Sequence, residues 1–327
     1  MMRASPDSTA AACEPPADAR AILERFETAL DPARPAASGA EIIGYGEIST
    51  VFAVPDLPGR LCKRMAGFRD EAAARRYVAV VRRYLDLLQE ARVRVAPTDL
   101  LPLSVLERRP VVYLLQPRLD PERIGNQLLR SAGDAVLLAC LDRVLAHVRD
   151  LARENRARSD GRAVTVDAQL SNWYFEPEAG GVGPPLLLDV GTPFMRSQGV
   201  DEIGTDLYLA AVPPLVRAYY RRTRAVERYL DAFFDPRRLL VDLLGNFHKE
   251  GRPDRLPLAI DHVNRFFAER APELGVEAIQ PANVDRYYAN DAAVLELFLR
   301  VRRLDRFVRT RLLRRPYDFI LPGRIRR

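Results

Sequence analysis

Asp167 and Asn172 stand five residues apart in TVDAQLSNWYF, just ahead of a short apolar run, and Asp189 and Gly191 close the next such run, LLLDVG. Upstream, residues 44–49 read GYGEIS, and Lys63 follows nineteen residues after Gly44 in RLCKRM. Each feature alone has an ordinary reading. Asp and Asn bond their own backbone and make turns, a Gly-x-Gly is usually only a bend, and a strand lysine usually faces water. Taken together, the residue types fit one chemistry. Glycines let backbone amides approach phosphates with no side chain in the way. A lysine supplies a point charge to the same group. An amide oxygen and a carboxylate are hard ligands of the kind Mg²⁺ takes. A further carboxylate can accept the proton of an attacking hydroxyl. That chemistry is phosphoryl transfer from ATP.

The elements that must position these residues can be read from periodicity and punctuation. Residues 1–17, rich in Ala, Pro, Ser and Asp, are expected to be disordered. A helix is predicted over Asp18–Leu30 with Asp18 as N-cap, and PARPAASG ends it. EIIGYGEISTVFAV reads as a β-hairpin with a glycine bend, followed by the turn PDLPG and the strand RLCKRM. Asp70 to Gln89 reads as a long amphipathic helix, and VVYLLQPRL as a buried strand ending at a proline. Helices are then predicted at 121–130, 133–157, 201–233, 236–250, 255–271 and 283–315, interrupted by one hairpin, WYF and LLLDVG around the loop EPEAGGVGPP. The fold class expected is α+β. A flexible segment with a short helix, 1–40, precedes a β-rich part, 41–119, and a helical part, 120–327.

Composition narrows the classes. Hydrophobic residues are 48% and charged residues 29%, as in an ordinary globular protein. The net charge of +6 permits an anionic ligand without requiring one. Cys13, Cys62 and Cys140 are odd in number and widely spaced, which predicts neither a disulfide framework nor a zinc site. His147, His248 and His262 lack metal-ligand spacing and read as structural. The first residues contain no apolar h-region, and no apolar run nears the length of a membrane span, so a cytoplasmic location is expected. Near the C-terminus Leu297, Val301, Leu304, Val308 and Leu312 recur at helical spacing and read as a core-facing stripe, with arginines on the other faces. An acidic partner for this basic helix is a further expectation, whereas nucleic-acid binding is not favoured.

The order of motifs resembles the protein-kinase-like superfamily, in particular its small-molecule branch of aminoglycoside phosphotransferases and choline kinases. Asp167-Ala-Gln-Leu-Ser-Asn172 is similar to the Asp-x-x-x-x-Asn of the catalytic loop, and Asp189-Val190-Gly191 to Asp-Phe-Gly; no Ala-Pro-Glu follows. The resemblance covers roughly residues 40–235. It implies a bilobal fold, with a small antiparallel β lobe carrying one long helix and a larger helical lobe. It also implies ATP and Mg²⁺ as cofactors and a small hydroxyl- or amine-bearing acceptor. Asp167 would be the base, Asn172 and Asp189 the metal ligands, and Lys63 the phosphate-pairing lysine. Gly44, Tyr45, Gly46, Glu47, Ile48 and Ser49 would form the loop over the triphosphate. Leu115, Gln116 and Arg118 would belong to the hinge whose backbone meets the adenine, and Asp206 would hold the catalytic loop from the helix below it.

Three positions depart from the family pattern. Thr165 replaces the histidine two before the base, which predicts weaker support for the loop. Gln169 replaces the Lys or His that reaches the γ-phosphate, where a neutral amide can hydrogen-bond but cannot neutralise charge. The glutamate that pairs with the lysine is missing from mid-helix, leaving Glu71 at the helix start. These departures keep two alternatives open: a nucleotide-binding scaffold with weak or no catalysis, and a basic adaptor that docks through its C-terminal helix.

Overall fold

The computed structural model describes residues 18–323 except 47, 106, 107 and 180, so the disorder expected of 1–17, Cys13 and Glu47 lie outside the described residues. The chain divides into two compact units. Of the described residues, one holds those in 18–78, 96–118 and 318–320; the other holds those in 79–95, 119–317 and 321–323.

The first unit is a five-stranded antiparallel sheet backed by a helix. α1 (Ala19–Ala29) begins at Asp18, as expected, but the Asp18 side chain makes no capping bond. β1 (Glu41–Tyr45), β2 (Ser49–Ala53) and β3 (Arg60–Met65) follow the alternation and turn residues of the sequence. The helix α2 (Glu71–Glu90) has its first eight residues in this unit and the remainder in the other. β4 (Asp99–Leu103) and β5 (Val111–Pro117) complete the sheet in the order β1-β2-β3-β5-β4. β4 was not foreseen, because Pro102 demotes its run. Proline is tolerated where one side of the strand needs no donor, and β4 is indeed an edge.

The apolar face of α1 puts Phe26 edge-on to Phe52 at 5.2 Å and to Tyr113 at 6.5 Å. Beneath it lies a fully buried polar lock. Arg64 of β3 donates twice to Glu27 at 2.7 Å, Tyr113 donates to Glu27 at 2.6 Å, and a third Arg64 nitrogen donates to the Asp318 carbonyl at 2.7 Å. A bidentate arginine–carboxylate pair with its remaining donors satisfied can be buried without leaving an orphan charge. It ties α1 and residue 318 to one face of the sheet.

The second unit is mainly helical. Its elements are α3 (Gly125–Ser131), α4 (Asp134–Ala157), β6 (Arg162–Val164), β7 (Trp173–Glu178), β8 (Gly181–Leu187), β9 (Met195–Ser197) and β10 (Val200–Asp201). After them come α5 (Asp206–Ala210), α6 (Pro214–Thr223), α7 (Ala225–Asp231), α8 (Pro236–Lys249), α9 (Leu256–Arg270) and α10 (Pro281–Phe307), the last running into a π-turn over Val308–Leu312. β7 and β8 form the hairpin expected around WYF and LLLDVG. The small sheet β10-β9-β6 is additional, its strands being too short to show a period. The core gathers around α4 and around α8, whose residues 239–247 are all buried. Trp173, fully buried, stacks on His147 at 5.4 Å, and burial lowers the pKa of that imidazole.

Two expectations are corrected here. The single helix over 201–233 is broken by Pro213-Pro214 and by Arg224, whose φ of 50° is left-handed. The stripe on α10 does not face the core. Leu297, Leu304 and Leu312 are 60–66% exposed, whereas Leu299, Arg302 and Asp305 of the same helix are buried. Periodicity identifies a face, but the neighbour decides which face turns inward. Toward its start α10 meets α8, where Gly245 leaves room for the Tyr287 ring and a Cβ at Gly245 would meet it at 3.0 Å; further on, buried Arg302 meets Tyr317.

Candidate functional site

The loop from Thr165 to Asn172 connects β6 to β7. Thr165 fastens it at three points: its amide donates to the Phe194 carbonyl (2.9 Å), its hydroxyl to the Phe233 carbonyl (3.1 Å), and its own carbonyl accepts from the Tyr84 phenol (2.8 Å). The weak support expected from losing a histidine at this position is therefore not found; a hydroxyl and a phenol take over. Two residues on, the Asp167 carboxylate accepts the Gln169 amide at 3.0 Å, the Asx turn expected of such a sequence. A 3₁₀ turn, Leu170–Asn172, follows. It is pressed by α3, where a Cβ on Gly125 would lie 2.3 Å from the Leu170 carbonyl oxygen. Only glycine allows that approach.

The hairpin register then sets Asn172 opposite Leu188, the residue before Asp189. Trp173 pairs with Leu187, and the Leu188 amide donates to the Asn172 carbonyl at 2.8 Å. Asn172 thus lies across from the residue next to Asp189. Leu187 is anchored on its other side by donating to the Arg94 carbonyl at 2.8 Å. The Asp189 carboxylate accepts the Gly191 amide at 2.9 Å. The phenol of Tyr84, buried beneath, has its pKa raised first by burial and then by the charges of Asp189 and Asp167, so both carboxylates act on one point.

The Gln169 side chain, expected near a γ-phosphate, is bonded to α8. Its amide nitrogen donates to both oxygens of Asp242 (2.8 and 3.1 Å), and its amide oxygen accepts from Asn246 (2.9 Å). Asp242 and Asn246 belong to α8 and are only 6% and 1% exposed. Tyr287 of α10 donates to Asp242 at 2.5 Å, and Lys249 lies 3.6 Å from Asp242 and 3.3 Å from Asp291. This cluster was missed in the sequence. Its trace was the polar residues Asp242, Asn246 and Lys249 at helical spacing in LLVDLLGNFHK, an otherwise apolar segment. The cluster has an electrostatic consequence. Burial first, then the charge of Asp242 and that of Asp189, push the Asp167 pKa up to about 7, against the pull of the Gln169 amide and Lys249. Asp206, expected to hold the loop, instead sits exposed at the start of α5, paired with Arg221 at 3.0 Å.

In the sheet unit, Gly44 lies at an irregularity of β1, where a Cβ would meet open space, while a Cβ on Gly46 would come 2.4 Å from the Ser49 hydroxyl. The Gly46 amide closes the bend on the Ser49 carbonyl at 3.0 Å; Tyr45 is exposed, and Ile48 and Ser49 are buried. Lys63 pairs in the sheet with Val51 and Leu114. Since Arg64 turns to the α1 face, strand alternation sends Lys63 to the opposite one. Glu71 is exposed on the first turn of α2 and pairs with Arg75 at 3.0 Å, a helix-terminus charge rather than a buried partner. Leu115 is paired on both sides, with Cys62 and Asp99, whereas the Gln116 side chain donates to Thr98 at 2.9 Å. The Arg118 amide donates to the Gly59 carbonyl at 2.8 Å.

Among the described residues no group of three or more His, Cys, Asp or Glu side chains is arranged to hold a metal ion. Asn172 and Asp189 carry an amide oxygen and a carboxylate, which are oxygen donors of the kind Mg²⁺ takes, and that ion needs few protein ligands. No helix among the described residues is long and apolar enough to cross a membrane.

A profile described as "Family of unknown function (DUF6206)" matches residues 35–306. The chain belongs to this family. No curated protein sequence matches this DUF6206 member. Among solved structures, one described as "WaaP in complex with acyl carrier protein" is similar at 15% identity, covering 70% of this chain and 92% of that one, with a TM-score of 0.31. A likeness at that level decides neither fold nor activity.

Proposed function

We propose that the chain is a kinase-like phosphotransferase that uses Mg²⁺-ATP and a small hydroxyl- or amine-bearing acceptor. The observation that supports this reading is that Asp167 and Asn172 share one loop and that the bond from the Leu188 amide to the Asn172 carbonyl sets Asn172 across from the residue next to Asp189. The raised pKa of Asp167 supports it in two ways. A carboxylate lifted toward neutrality is better matched to taking a proton at physiological pH, and a site where negative charge is under-compensated favours a cation. When bound, Mg²⁺ would draw charge from the phosphates. Asp167 would orient the acceptor hydroxyl or amine and take its proton. Lys63 and the Gly44–Ser49 bend would hold the donor phosphates. Gln169, tied to α8, would position the base rather than touch phosphate.

A base that acts in the transition state should matter for turnover and little for nucleotide affinity. Asp167→Ala is therefore expected to keep the Mg²⁺-ATP dissociation constant within a few-fold, while ADP release falls by roughly 10²–10⁴. Calorimetry and a coupled ADP assay on the same preparations check this. Tight Mg²⁺-ATP binding by the wild type, with no ADP above the Asp167→Ala background from any acceptor, would instead favour a nucleotide-binding scaffold.

A further inference from the structure

The outward stripe of α10 finds no partner within the helical unit. Among the described residues twelve large hydrophobic side chains are exposed, and six of them fall between 294 and 313: Val294, Leu297, Leu304, Phe307, Leu312 and Leu313. Scattered exposed hydrophobes need no explanation, but an aligned row does. Val294, Leu297, Val301, Leu304 and Val308 share one helix face, a row about 21 Å long at the helical rise. Across the helix from Leu297 and Leu304, Leu299 and Arg302 are buried, Arg302 lying over the Phe298 ring. α10 is thus apolar on two faces, and the fold uses one.

Charge says what the second face meets. Residues 292–315 carry eight arginines against Glu296 and Asp305, a net charge equal to the +6 of the whole chain. Arg311, Arg314 and Arg315 are exposed at the end of the stripe, and Arg300 beside it is held only by an exposed pair with Glu296. The geometry points to this face of α10 as a docking surface for an anionic lipid bilayer, with the Leu, Val and Phe side chains sinking among the acyl chains and the arginines meeting headgroup phosphates. A helix with an apolar stripe beside a basic margin lies in the interface plane in this way. A second copy of the chain fits less well. The stripe repeats for only two heptads, fewer than a coiled coil needs, and self-pairing would set these arginines against one another. Nucleic acid would leave the apolar row without a use.

The test is co-sedimentation of the full chain with vesicles of phosphatidylcholine alone and of phosphatidylcholine containing phosphatidylglycerol. Binding to the anionic vesicles is expected to exceed binding to neutral ones by at least about tenfold and to weaken with salt, since each arginine near such a surface contributes roughly fivefold. Leu304→Glu with Phe307→Glu should reduce it by at least about tenfold with unchanged circular dichroism, because both side chains are already exposed. Arg311→Glu with Arg314→Glu should do the same through the charges. Absence of wild-type binding to anionic vesicles would overturn the proposal, as would full binding by both double variants. A dimer in light scattering that the Leu304→Glu, Phe307→Glu variant abolishes would give the face to a second copy and equally overturn it.

Discussion

Gln169→Leu tests the reassignment of this residue from the phosphate to the scaffold. The substitution keeps the side chain's bulk and removes three hydrogen bonds, two to the Asp242 carboxylate and one from Asn246. Asp242 retains Tyr287 and Lys249, so its charge is not stranded. Asn246 is worse placed, since its amide oxygen already has no partner among the described residues and the substitution takes the partner of its nitrogen. A hydrogen bond to a charged group contributes about 1.5–3 kcal/mol and a newly unsatisfied buried amide costs about 1–3 kcal/mol. With part of that offset by apolar burial of the new side chain, a net loss of about 2–4 kcal/mol is expected. In a chain of this size that is a fall of roughly 4–16 °C in melting temperature. Chemical denaturation of wild type, Gln169→Leu, Asp242→Asn and the double variant should give a coupling energy of about 1–3 kcal/mol, as for residues in one network. Gln169→His should also destabilise, because the ring cannot reproduce both bonds. Wild-type melting for Gln169→Leu with additive single effects, alongside a large loss of turnover, would refute the reasoning and return the side chain to the reacting phosphate.

Further outcomes concern pH and the buried lock. With its folded pKa raised to about 7, Asp167 is neutral on the acid side, so kcat/KM should rise with pH through about 7. Asp242→Asn, which removes the second-largest cause of that rise, should move the inflection downward. The same shift makes metal-free stability greatest on the acid side of the range and lower as pH climbs through about 7, a sign that pH-dependent melting checks. Arg64→Ala should cost about 3–5 kcal/mol in denaturant melts by stranding buried Glu27. Glu27→Leu with Arg64→Met should cost clearly less, since no charge is left behind.

The sheet unit was largely legible because its strands carry period-two patterns and its turns carry Gly, Pro and Asp. β4 was not, since Pro102 hides an edge strand, and the strands β6, β9 and β10 are too short to hold a period. Of the candidate site residues, Asp167, Asn172 and Asp189 could be singled out because the turn and the hairpin that carry them are local. Asp242, Asn246 and Tyr287 could not, because they reach Gln169 only through the packing of α8 and α10 on a loop more than seventy residues earlier in the chain. The direction of the α10 stripe failed for a related reason: both faces are apolar, and only tertiary contact chooses between them.

The most direct measurement of the central claim is the thermal shift produced by ATP with Mg²⁺ and with EDTA, on wild type and on Asp189→Asn. Ligand at a hundredfold excess over its dissociation constant stabilises the native state by about 2.7 kcal/mol, which is readily seen. The account predicts a larger ATP shift with Mg²⁺ than with EDTA, and loss of most of that difference in Asp189→Asn. No ATP shift in the wild type, or a metal-dependent shift unchanged in Asp189→Asn, would contradict it.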